Sequence, residues 1–165
     1  MKKLAIFLSL ILALAGSAFA QTAPADTAVT SAAQGSFPDG TSYNGVPLGG
    51  LEIGAGSVIF GDGSGGDGAL AIRLLGVSVA GVPQQVINID AQVTGGSRSA
   101  ASAATVTGTC KIDMGNGLPP ITGIPFTAAI AADSNNLGAV TLMLGGTQLP
   151  AATIGDGSVT VEDLQ

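Results

Sequence analysis

The sequence predicts an all-β fold, a β-sandwich of two mainly antiparallel sheets with about seven to nine strands, following an N-terminal signal helix. Three observations lead there. Apolar and polar residues alternate along most of the chain, the spacing that sends successive side chains to opposite faces of a strand. Glycine is abundant, 26 of 165 residues, and clusters of Gly, Pro, Asn and Asp punctuate the alternating runs as turns do. Past the N-terminal segment, no stretch holds an apolar stripe at the helical period of about 3.6 residues over several turns. Length allows one domain, and an apolar content of 46% with a mean hydropathy of +0.54 supplies enough burial to offset chain entropy despite only 10% charged residues.

Taken in order, residues 1–20 read as a signal peptide. Lys2 and Lys3 form a basic start, Leu4 to Leu14 are apolar apart from Ser9, and Ala18-Phe19-Ala20 closes on the small-x-small pattern of a cleavage site. The apolar run falls short of the roughly 20 residues that span a bilayer, so the mature chain is expected to be exported without membrane insertion, into the periplasm or the extracellular space. Residues 21–34 are small and polar with Val29 the one large apolar side chain, and read as a flexible leader. A single domain is expected over 35–165.

Within it, Ala69 to Val79 carries Leu70, Ile72 and Leu74, then Leu75, Val77 and Val79, so buried parity flips at Leu74-Leu75 and a β-bulge or sheet crossing is expected there. Val86 to Thr94 is the clearest alternation: Ile87, Ile89, Ala91 and Val93 on one face, Asn88, Asp90, Gln92 and Thr94 on the other. Ala104 to Met114 repeats it, placing Val106, Cys110 and Ile112 inward and Thr105, Thr107, Thr109 and Lys111 outward. Phe126 to Ala132, Ala139 to Leu144 and Ser158 to Glu162 complete the strands, the last with Val159 and Val161 inward.

The runs Val106-Thr107-Gly108-Thr109-Cys110-Lys111-Ile112, Pro125-Phe126-Thr127-Ala128-Ala129-Ile130-Ala131-Ala132-Asp133 and Gly157-Ser158-Val159-Thr160-Val161 carry a resemblance. In this order they resemble the post-COAP-1 domain of bacterial exported and cell-wall-associated proteins, over roughly residues 68–161. The resemblance implies an extracellular β-sandwich and carries over no catalytic residue. Cys110 and the insertion Leu118-Pro119-Pro120 depart from that pattern.

Composition narrows the chemistry. There is no His and one Cys, which excludes imidazole catalysis, His metal sites and an intrachain disulfide. Lys2 and Lys3 leave with the signal segment, so Arg73, Arg98 and Lys111 remain against 11 acids, a net of −8 that disfavours nucleic acid. Serines are plentiful but nothing activates them, so no enzyme is expected. Cys110, on the inward parity, is expected to pack as an apolar residue. The run Gly61-Asp62-Gly63-Ser64-Gly65-Gly66-Asp67-Gly68 has the oxygen ligands and backbone freedom that calcium requires, and Asp156 in Gly155-Asp156-Gly157-Ser158 repeats its core. The ligand order is not that of an EF-hand, and Asp-Gly between apolar alternations also signals a turn, the reading preferred for both copies. The expected function is an exported, non-catalytic structural or interaction domain, without a cofactor, whose partner is another envelope or extracellular protein. The alternative is a calcium-dependent binding module using Asp62, Asp67 and Asp156.

Overall fold

A computed structural model describes residues 24–81 and 83–164, and the expected signal peptide at 1–20 lies outside them. Ten strands follow one another: β1 Asp26–Ser36, β2 Ser42–Tyr43, β3 Val46–Ile59, β4 Gly66–Gly76, β5 Val86–Ala100, β6 Ala103–Asp113, β7 Ile121–Ala132, β8 Gly138–Leu144, β9 Thr147–Gln148 and β10 Ala152–Leu164. No helix occurs among the described residues.

The expected sandwich is not what forms. The main sheet closes into an 8-strand β-barrel, every neighbouring pair antiparallel, because β1 pairs on one side with β10 and on the other with β3. The circuit runs β1-β3-β4-β5-β6-β7-β8-β10 and returns to β1, while β2 and β9 are short additions on β3 and β8. Closure satisfies the backbone donors and acceptors that two open sheets would leave along their edges. Period-two alternation cannot separate the architectures, since each strand of either one buries a single face. The sandwich implied by the post-COAP-1 resemblance is overturned with it.

The flexible leader expected over 21–34 does not hold from Asp26 onward. From Asp26 the chain is the first wall strand, with Thr27, Val29, Ser31 and Ala33 inward. Small side chains concealed it: only Val29 is large, although three inward neighbours are buried beside it. The parity flip expected at Leu74-Leu75 does not occur. Leu70, Ile72 and Leu74 keep one inward face, Leu75 stands outward, and Val77 and Val79 lie exposed in the following loop. The irregularity sits instead on the facing strand, between Leu48 and Gly50 of β3.

The core fills the barrel interior. The β5 alternation and the inward set Val106, Cys110 and Ile112 on β6 are buried as expected, and Phe126, Ile130, Leu142, Leu144 and Val159 meet them from β7, β8 and β10. Eight strands enclose a space just wide enough for side chains to fill, so large inward residues must face small ones. Gly108 shows how: it pairs with Phe126, and a Cβ there would collide with the Gln92 carbonyl and the Phe126 ring. Asp156-Gly157, expected as a turn, lies inside β10, where the register with β1 shifts between Gln34 and Gly35 and strands one extra residue. Gly157 adopts φ 89 at that bulge, and a Cβ on it would strike the Ala32 carbonyl oxygen.

Candidate functional site

The Gly/Asp run forms the tight connection from β3 to β4 at one end of the barrel. Phe60 N donates to Gly65 O at 3.0 Å and Gly63 N to Phe60 O at 3.1 Å, closing the loop on itself. Asp62 Oδ1 accepts from Ser64 N at 2.8 Å, and the hydrogen bonds from Ser64 hold this carboxyl below the usual carboxylate range. Asp67 stands outward on β4 and accepts from Gln92 Nε2 at 3.4 Å. Asp156 is elsewhere. It registers with Gln34, which registers with Glu52, whereas Asp67 registers with Val58, six residues further along β3 and so about 20 Å away along the barrel. The structure therefore keeps Asp62 and Asp67 in one hairpin and leaves Asp156 out of it. No group of three His, Cys, Asp or Glu able to hold a metal ion occurs among the described residues.

Asp156 instead borders a shallow groove of about 440 Å³ on the outer wall, across β10, β1, β3 and β4. Its floor is made of Ala32, Gly54 and Ala71, short enough for the wall to dip. Arg73 Nη1 donates to Glu52 Oε2 at 2.6 Å along one side, a directly opposed pair on neighbouring strands.

The two ends of the barrel differ. At the end bearing the Gly/Asp turn, the β5–β6 hairpin outruns its neighbours. A register shift between Val93 and Gly95 frees it to bend, Gly96 comes against Ile59 of β3, and Arg98 forms an ion pair with Asp163 of β10. Because β5 and β10 stand opposite each other in the circuit, this clasp spans the barrel mouth. Beneath it lies a cavity of about 380 Å³ with Thr27, Ile59 and Phe60 among its walls. Arg98 is fixed further by donating to Ala100 O at 2.9 Å and Ala101 O at 2.6 Å.

The other end is plugged and apolar. Phe37, Tyr43 and Leu149 are buried over it, while Val77 and Val79 on the β4–β5 loop and Leu118 on the β6–β7 loop are exposed, with Ile121 and Met143 at the adjoining strand ends. Gln85 Nε2 donates to Met114 O at 2.8 Å and ties the two loops together. Cys110 is 3% exposed, and burial raises its thiol above the ordinary value. Tyr43 is raised as well, by burial first and by the neighbouring Cys110 next, with a hydrogen bond from Asn44 acting the other way.

Sequence reading missed the Arg98–Asp163 clasp, the Glu52–Arg73 pair and the Tyr43 plug. Each joins residues whose proximity depends on barrel closure or strand register, which residue types alone do not carry. Comparison with known families, curated proteins and solved structures returned no match.

Proposed function

We propose that this protein is an exported, non-catalytic structural or interaction domain of the bacterial envelope or extracellular space, which contacts another protein through the plugged end of its barrel. The observation that carries the reading is the distribution of exposed apolar side chains. Five of the seven exposed large apolar side chains among the described residues, Val77, Val79, Leu118, Ile121 and Met143, gather at one end, while Phe60 and Leu164 stand at the other and the outer wall presents Thr, Ala, Gln, Asn and single charges. A barrel facing lipid carries its apolar band outside, so a wall of this composition suits water. Export rests on the sequence of residues 1–20.

The acids that hydrolysis would need are dispersed over the wall and both ends, which supports a non-catalytic role. All three mature cations already stand against an acid: Arg73 with Glu52, Arg98 with Asp163, and Lys111 in register with Asp90. The remaining field is negative, so the matching partner surface is apolar with basic residues around it. A photo-crosslinking residue at Leu118 in cells exporting the protein is expected to capture one discrete partner, lost in the Val79→Asp background, whereas the same residue at Ala129 on the wall captures none. Equal capture at both positions, or none at Leu118, contradicts the assignment, and hydrolase activity of the purified mature chain overturns its non-catalytic part. The calcium-dependent alternative gains no support from the placement of Asp156. A calorimetric calcium isotherm abolished by changing Asp62 and Asp67 to Asn would reinstate it.

A further inference from the structure

Ser31 and Ser57 break the apolar rule of the interior. They are 8% and 4% exposed, and the Oγ of each lacks a hydrogen-bond partner among the described residues. Buried hydroxyls are almost always paired, with protein or with ordered water, so two orphans in one small core call for a cause. Their register supplies one. Ser31 faces Ala55 and Ser57 faces Val29 on the antiparallel β1–β3 ladder, which makes the two serines diagonal neighbours on the same inward face. Diagonal neighbours stand about 7–8 Å apart at Cα, too far for direct bonding unless both side chains lean together. Two hydrogen bonds of about 2.8 Å meeting at one water reach about 4.5 Å between hydroxyl oxygens, so one water joins the pair with only part of that lean. Of the inward residues around Ser31, Ala33 and Ala55 are short, while Val29 stands opposite Ser57.

We propose that Ser31 and Ser57 form a binding site for one internal water molecule, which bridges them across the β1–β3 seam. The site has a consequence for the fold. The pairing of β1 with β3 is one of the two ladders by which the first strand closes the barrel; Val29, Leu51, Ile53 and Ile59 mark its inward face, and Ala and Gly fill much of the rest. A one-residue slip would turn one serine to the outer wall and break the bridge, so the shared water adds to the buried apolar side chains in holding the register observed.

The test is a thermal double-mutant cycle on the mature chain with Ser31→Ala, Ser57→Ala and the pair, together with water-to-protein NMR contacts. A bridging water predicts that either single variant lowers Tm, because one hydroxyl is left stranded, while the double variant recovers most of the loss. It also predicts a long-lived water signal at both residues of the wild-type chain, absent from the double variant. Tm rising additively in both single variants, or staying flat in all three, overturns the proposal, because the hydroxyls would then be independent. Coupling without a water contact also overturns it, since the hydroxyls would then bond to each other directly.

Discussion

Cys110 decides whether the plugged end is chemistry or packing, and its burial makes it packing. The thiolate is disfavoured there, so the native protein is expected to react with a maleimide only on the timescale of unfolding, and labelling within seconds would contradict the inward placement. Cys110→Ser buries a hydroxyl in place of sulfur and is expected to cost about 1–3 kcal/mol, measured by denaturant titration, with Cys110→Ala better tolerated. The same burial fixes a pH dependence. Both Cys110 and Tyr43 are raised in the folded state, so the stability they hold is intact below their unfolded values, about 8.5 and 10, and is lost as pH rises through the folded ones. Tm should therefore fall on the alkaline side of about pH 8.5, and Cys110→Ala should delay the onset; a profile identical in the two proteins would contradict it. Gly108 gives the converse case. Gly108→Val drives a side chain into the Gln92 carbonyl and the Phe126 ring, and is expected to cost upward of about 2 kcal/mol by the same titration.

At the scale of elements, the β5–β6 hairpin is held over the mouth by one clasp whose side chains are 25% and 53% exposed, so its removal acts locally. Asp163→Asn is expected to change global stability by less than about 1 kcal/mol while accelerating amide exchange along residues 94–106. Unchanged exchange there would show that the bend depends on Gly96 against Ile59 alone. Strand reading was most secure where alternation combined large apolar with polar residues, as in β5 and in the Val106 to Ile112 part of β6. It failed where that contrast was weak. β1 was hidden by Ala and Ser on its buried face, and the Leu74-Leu75 doublet imitated a bulge because β4 ends at the next residue, Gly76. At Asp156-Gly157 turn chemistry was correct about backbone conformation but not about its setting, since Gly157 takes a positive φ inside β10, beside the bulge, rather than in a turn.

For the whole molecule, the legible part was the all-β class with an apolar core, and the illegible part was which strands meet. Closure is decided by a handful of register pairs at the first and last strands, and a sequence pattern that describes each strand singly holds no record of them. The candidate site inherits that limit: the exposed apolar residues were visible as types, but the gathering of five of them at one end follows only from the circuit of strands. The central claim is that β1 is shared between β10 and β3, and it is tested most directly by NMR on residues 21–165. Cross-strand backbone contacts are predicted from Thr30 to Thr160 on one side and from Thr30 to Gly56 on the other, with slow amide exchange along all of 27–34. Contacts to one neighbour only, with every second β1 amide exchanging rapidly, would leave β1 as an open edge and contradict the closed barrel.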